Sequence, residues 1–156
     1  MRLNAFDPKT KNDLFISIDA REKTIPLSAY QTFANLRRAH LKVGDIAINS
    51  RVSNLVAIEN KTLYDLLCSY STNRLQNQLH ALQDSDYTYC FLFVCLEKSR
   101  KVAGRTIYSP VVEQKALKYL HQVPSLFPKV GVEVFEKESE IILCVEELFR
   151  YILKHV

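Results

Sequence analysis

The sequence predicts an α/β fold, a central mixed sheet held between two helical layers (α/β/α), in one domain spanning residues 1–156. Three observations carry this reading. Short β-branched apolar runs alternate with longer stretches of helical periodicity, the pattern of a sheet covered by helices. The run Tyr87–Leu96, YTYCFLFVCL, is apolar at nearly every position, as a strand covered on both faces must be. A chain of 156 residues with 47% hydrophobic content suffices for one core burying roughly 70% of the surface its unfolded form exposes. Only three glycines and five prolines occur, and no repeat, low-complexity tract or linker marks a second domain.

Each element follows from local pattern. Leu14–Ile18 is short, apolar and β-branched and stops at the charged Asp19–Glu22, so it reads as a buried strand entering a polar turn. After Pro26, the residues Leu27, Tyr30, Phe33, Ala34 and Arg37 recur at helical spacing and predict a helix through Ala39. Gly44 breaks that pattern before a second strand, Ile46-Ala47-Ile48, and the polar Asn49–Asn54 reads as a hairpin connection to a third, Leu55–Asn60. Two helices are expected next. Thr62 caps the first, with Leu63, Leu66, Leu67 and Tyr70 on one face; Thr72 caps the second, with Leu75, Leu79 and Leu82 as its stripe. After the central strand, Lys98, Arg100, Lys101 and Arg105 crowd a basic loop, and helical periodicity resumes over Val111–Leu120. Val130–Phe135 reads as the last strand. A closing helix is marked by Ile141, Ile142, Val145, Leu148, Phe149, Ile152 and Leu153.

Composition narrows the function classes. The net charge of +4 permits a polyanionic partner without demanding one. Cys68, Cys90, Cys95 and Cys144 form no CxxC pair, and Cys90 and Cys95 lie in an apolar run, which favours reduced core thiols and an intracellular protein, nuclear or cytoplasmic. The four histidines are scattered, so zinc is not expected. Neither a signal-peptide core nor a membrane span is visible, and a soluble protein is expected. Tyr64, Tyr70 and Tyr87 read as packing residues rather than base-stacking platforms.

The charged residues at strand ends carry the chemistry. If the second and third strands form a hairpin centred between Arg51 and Ser53, residues whose numbers sum to about 104 face one another, and Asp45 lies opposite Glu59. Two such carboxylates repel, and a divalent cation between them resolves the conflict. Strand alternation puts Glu59 and Lys61 on one face and turns Asn60 away. Phosphodiester hydrolysis needs a cation to neutralise phosphate oxygens, an acidified water as nucleophile, and a positive group to steady developing charge. Oxygen-only ligands favour Mg2+ or Mn2+. Plainer readings stand beside these: Thr62–Asp65 fits a capping box, so Asp65 can serve its helix, and Asp19–Glu22 can be a charged turn with an internal ion pair.

IDARE (Ile18–Glu22), VGD (Val43–Asp45), IENKTLYDLL (Ile58–Leu67), NRLQNQLHAL (Asn73–Leu82) and the apolar strand after Tyr87 follow in this order. Together they resemble the nuclease domain of the XPF family of structure-specific endonucleases, whose hallmark is GD, a spacer and ERKxxxD, preceded by DxRE and followed by GRLxxQ. The resemblance covers about Leu14–Leu96. It implies a restriction-endonuclease-like fold and Mg2+- or Mn2+-dependent cutting of DNA at branches, flaps or forks. Asp45, Glu59 and Lys61 match the family's catalytic positions, with Asp19 beside Asp45 and Glu59 as a metal ligand and Asp65 and Glu22 supporting the centre. Arg21 and Arg74 match basic positions that contact phosphate or hold the site together, and Gln78 matches the glutamine without an assigned role. Asn60 replaces the arginine of ERK, and Asn73 the glycine of GRL. No tandem helix-hairpin-helix module of the kind many relatives carry is expected within the given 156 residues, so either it has been cut away or the protein works without it.

The leading expectation is therefore a metal-dependent DNA endonuclease, as a homo- or heterodimer. The alternatives are a non-catalytic DNA-binding or scaffold partner, motivated by Asn60, and a phosphodiesterase acting on RNA or small nucleotides. Lys98, Arg100, Lys101 and Arg105 either grip a DNA backbone or form a solvated loop.

Overall fold

In the computed structural model, residues 13–22, 25–97, 101–102, 105–106 and 110–155 are described. The first strand, β1 (Phe15–Asp19), is followed by a short helix, α1 (Leu27–Gln31), and by β2 (Leu36–Ala39). The hairpin strands β3 (Ile46–Asn49) and β4 (Asn54–Thr62) lead into α2 (Leu63–Ser71) and α3 (Arg74–Gln83). Then come β5 (Tyr89–Cys95), a small antiparallel hairpin of β6 (Lys101–Val102) and β7 (Arg105–Thr106), and α4 (Pro110–Leu126). The strand β8 (Val130–Phe135) and α5 (Glu138–Lys154) close the chain.

Six strands form one mixed sheet in the order β2-β1-β3-β4-β5-β8. The β1–β3 and β3–β4 pairs are antiparallel, and β1–β2, β4–β5 and β5–β8 are parallel. Alternation along the strands builds a core on each face. On one face Ala47, Ala57, Leu92 and Val94 meet Leu63 and Leu66 of α2, Leu75, Leu79 and Leu82 of α3, and Ala116, Leu120 and Val123 of α4. On the other, Ile16, Ile18, Ile46, Ile48, Ile58 and Phe93 meet Tyr30 of α1 and Ile141, Val145, Phe149 and Ile152 of α5. The result is the three-layer α/β/α arrangement that the alternating pattern predicts.

The helix predicted from Leu27 through Ala39 ends at Gln31. Phe33 N and Ala34 N both donate to Tyr30 O, which closes the turn, and Leu36–Ala39 instead pairs in parallel with β1. Burial of Tyr30 and packing of Phe33 on Phe149, centroids 5.8 Å apart, satisfy the apolar spacing with one helical turn and a bend. Arg37 and Arg38 then lie exposed on an edge strand. Thr72 does not cap α3: it ends α2, its Oγ1 donating to Cys68 O at 2.9 Å, and Asn73 takes the left-handed conformation (φ 59°) that lets α3 start at once. Tyr70 and Tyr87 pack as expected, whereas Tyr64 is exposed. In the basic loop, Lys98 and Arg100 lie outside the described residues, while the backbones of Lys101 and Arg105 belong to β6 and β7.

Candidate active site

The site grows from the ends of three neighbouring strands. In the β3–β4 hairpin Ile46 pairs with Ile58, Ala47 with Ala57 and Ile48 with Val56, the register that places Asp45 beside Glu59. Asp19 N donates to Asp45 O at 2.9 Å, and Asp45 N donates to Ile58 O at 2.8 Å, so the ends of β1, β3 and β4 are tied in sequence. By alternation Asp19, Asp45, Glu59 and Lys61 share the face of Ala47 and Ala57, towards α2 and α3. Gly44 makes this approach possible. Its φ of +78° disfavours a side chain, and a Cβ there would meet Ile58 O at 3.0 Å.

Asp45 Oδ2 accepts from the backbone N–H of Asn60 at 2.8 Å, and Glu59 Oε1 accepts from Gln78 Nε2 at 3.1 Å. Among the described residues, the second oxygen of each carboxylate has no hydrogen-bond donor. Burial raises the Asp45 carboxyl to about 6, with Glu22 and Asp19 adding repulsion against the Asn60 hydrogen bond. Burial and then the charge of Asp45 raise Glu59 to about 7, despite the opposing pull of Lys61 and Arg74. The two acids titrate as a pair, and at neutral pH their combined charge is held against burial and mutual repulsion.

Lys61 is buried, 5% exposed, and its Nζ donates to Ser69 Oγ of α2 at 3.1 Å. Burial lowers its pKa, Glu59 raises it, and Arg74 lowers it again; the net direction is down. Asp19 takes a different partner. Arg21 Nη2 lies 2.9 Å from its Oδ2, and Arg21 Nε donates to both carboxylate oxygens, at 3.1 and 3.3 Å. Burial raises the Asp19 carboxyl, but the hydrogen bonds and charge of Arg21 outweigh that and hold it below the usual range. Arg21 also donates to Leu41 O, fastening the 40–44 loop to the site.

A cleft of about 330 Å3 is lined by Asp19, Arg21, Glu22, Lys42, Asp45, Glu59, Arg74 and Gln78. It adjoins a cavity of about 190 Å3 that shares Glu22, Asp45, Glu59, Arg74 and Gln78 and adds Lys61, Asp65 and Ser69. Every candidate acid and its supporting arginines thus line one continuous region. The capping expectation for Asp65 holds at its backbone, whose N–H donates to Thr62 Oγ1 at 3.1 Å. Asn60 lines the cavity of Asp45 and Glu59 and also a second one that Lys61 and Asp65 share with Cys95, Glu138 and Ile141.

Among the described residues, no group of three or more His, Cys, Asp or Glu side chains is placed to hold a metal ion. Asp45 and Glu59 come together, and Asp19 is held by Arg21 on the same wall. The donor set still suits a hard dication: two half-buried carboxylates that repel each other each keep an oxygen without a hydrogen bond among the described residues, with the Cys68 thiol also on the cavity wall.

Ser69 and Lys42 did not emerge from the sequence as site residues. A polar residue at i+3 from the buried Leu66 was the signal available for Ser69. Gln78 acquires a role from its position on α3, where it orients Glu59.

Residues 18–122 match the family model of the ERCC4 domain. No curated protein sequence matches. Among solved structures, XPF from Aeropyrum pernix is similar with a TM-score of 0.67 at 22% identity, over 87% of this chain and 60% of that one. XPF from Aeropyrum pernix in complex with DNA is similar with a TM-score of 0.69 at 19% identity, over 89% of this chain and 64% of that one. The likeness shows a shared fold, and the chain spans less than two thirds of the length of either. Among the described residues, no helix is long and apolar enough to cross a membrane.

Proposed function

The chain belongs to the ERCC4-domain family, and from that premise we propose that it is a Mg2+- or Mn2+-dependent endonuclease that cuts DNA at branched, flapped or forked structures. One observation carries the reading: the half-buried acids Asp45 and Glu59 meet, with Lys61 beside them, on the wall of an open cleft. Structural ion pairs lower carboxyl pKa values, whereas this pair is raised at a cost to the fold, which suits a site built for a bound cation. Asp45 and Glu59 would hold the ion, and Asp19 would complete the carboxylate set. When bound, a dication supplies charge to phosphate oxygens and acidifies a water.

The chain's own groups do the rest. Gln78 fixes the Glu59 carboxylate, and the Asn60 N–H fixes that of Asp45. Ser69 orients the Lys61 ammonium, which donates to an oxygen of the reacting phosphate or its attacking water. Arg21 and Arg74 on the cleft wall place positive charge where a backbone phosphate would rest. Glu22 and Asp65 raise the local negative potential that draws the dication. The similarity to XPF in complex with DNA supports DNA as the substrate. A dimer, an intracellular setting with reduced cysteines, and DNA contacts by Lys98, Arg100, Lys101 and Arg105 belong to the same proposal.

The competing reading is a non-catalytic DNA-binding or scaffold subunit, and Asn60 is the feature that favours it. The two are separated by a cleavage panel of flap, fork, bubble, duplex and single-stranded DNA, with single-stranded RNA added, in Mg2+ and in Mn2+, beside Glu59→Gln. Cutting of branched DNA that vanishes in Glu59→Gln supports the enzyme; binding without cutting in either metal supports the scaffold.

A further inference from the structure

Between Glu22 and Asp45 the sequence holds no carboxylate, and its charged side chains are Lys23, Arg37, Arg38 and Lys42, with His40 among them. Arg37, Arg38, His40 and Lys42 are exposed along β2, the edge of the sheet, and the loop that leads to Asp45. Edge strands commonly carry cations simply to discourage pairing with other chains. Two features here exceed that need.

The first is placement. In the parallel β1–β2 pair Ser17 lies beside Arg37 and Asp19 beside Ala39, so Arg37 shares the face of Asp19 and stands two residues before it. That step is about 6.6 Å along a strand for the backbone, and the guanidinium, over Phe15, lies further back along β1. Lys42, further along, lines the cleft itself with Asp45 and Glu59. The second feature is pre-organisation. The Arg37 guanidinium carbon lies 3.9 Å from the centroid of the Phe15 ring on β1, a contact that fixes the cation without neutralising it. Among the described residues, neither Arg37 nor Lys42 forms an ion pair. A guard against aggregation needs no fixed geometry, whereas a phosphate contact gains from it.

We infer that Arg37 and Lys42 form a phosphate-binding track along β2 and the 40–44 loop that leads one strand of DNA into the cleft. This rests on the nuclease reading above and extends it by naming the path of the substrate. The track is separate from the Lys98–Arg105 segment in sequence, and each residue neutralising one phosphate contributes about 0.9 to the slope of log affinity against log salt.

The test is fluorescence anisotropy of a labelled forked DNA in EDTA between 50 and 200 mM salt, on wild type, Arg37→Gln/Lys42→Gln, and a control, Lys115→Gln/Lys118→Gln on α4. The track requires the double variant's slope to fall by about 1.8, with the control unchanged. An unchanged slope overturns the track while leaving the nuclease reading standing. Failure of the wild-type protein to bind any of the DNA overturns both. Should the double variant melt below the wild type, Lys42→Gln alone carries the test, with an expected slope loss of about 0.9 and an unchanged slope counting against the track.

Discussion

Replacing Glu59 with glutamine is expected to stabilise the metal-free protein while disabling it. Glu59 is half-buried beside Asp45, and its carboxyl is raised from 4.5 to about 7. An acid whose folded pKa lies above its unfolded value binds its proton more tightly in the native state. Its favourable contribution is complete below pH 4.5 and is lost as pH rises through about 7, where a buried charge must be sustained. At about 1.4 kcal/mol per pKa unit, the cost of ionised Glu59 at pH 8 is about 3 kcal/mol, falling below about 1 kcal/mol at pH 5. Glutamine keeps the shape and an acceptor for Gln78 but never carries the charge. Urea denaturation in EDTA should therefore show Glu59→Gln more stable than wild type by up to about 3 kcal/mol at pH 8, with the gap largely closed at pH 5. The variant should also flatten the pH dependence of stability between pH 5 and 8. A variant less stable than wild type at pH 8, or a gap independent of pH, would refute the claim that the two acids strain the metal-free fold.

Three further outcomes are expected. Gly44→Ala should cost roughly 2 kcal/mol in denaturant melts, because it combines a positive φ with a close approach to Ile58 O; a neutral effect would show that the 40–44 loop yields freely. Asn73→Gly should be neutral or stabilising by up to about 1 kcal/mol, and Asn73→Val destabilising by about 1–2 kcal/mol, since that residue carries the left-handed link between α2 and α3. Ser69→Ala should slow single-turnover cleavage about tenfold by releasing Lys61 while leaving Mn2+ affinity unchanged, and a parallel loss of metal affinity would mean that Ser69 acts on the acids instead.

Much of this architecture was legible because buried strands and capped helices leave local signatures. The β3–β4 register followed from the turn position and the alternation of Ile46, Ile48, Val56 and Ile58, and that register alone brings Asp45 to Glu59. Thr62 announced the start of α2, since its hydroxyl satisfies the N–H of Asp65. The misread segment was Leu36–Ala39. Edge pairing to β1 is a long-range event with no local mark, and Leu27, Tyr30 and Phe33 fit one helical turn as well as three. Thr72 and Asn73 were ambiguous because a cap and a left-handed stop favour overlapping residue types. At the site, partners supplied by packing stayed hidden, Ser69 for Lys61 and the Asn60 N–H for Asp45, whereas the Asp19–Arg21 pair is the internal ion pair that the charged turn offered. A sequence names the acids, but only packing decides which acid receives a counter-ion from the chain and which pair does not.

The central claim, that Asp45 and Glu59 together hold a dication, is tested most directly by calorimetric titration of Mn2+ at pH 6.5 in buffers of differing ionisation enthalpy. Wild type should bind and release protons as the raised carboxyls ionise, with Asp45→Asn and Glu59→Gln each losing affinity at least about tenfold, near 1.4 kcal/mol. Binding by both variants at wild-type affinity, or no binding by wild type at millimolar Mn2+, would contradict it.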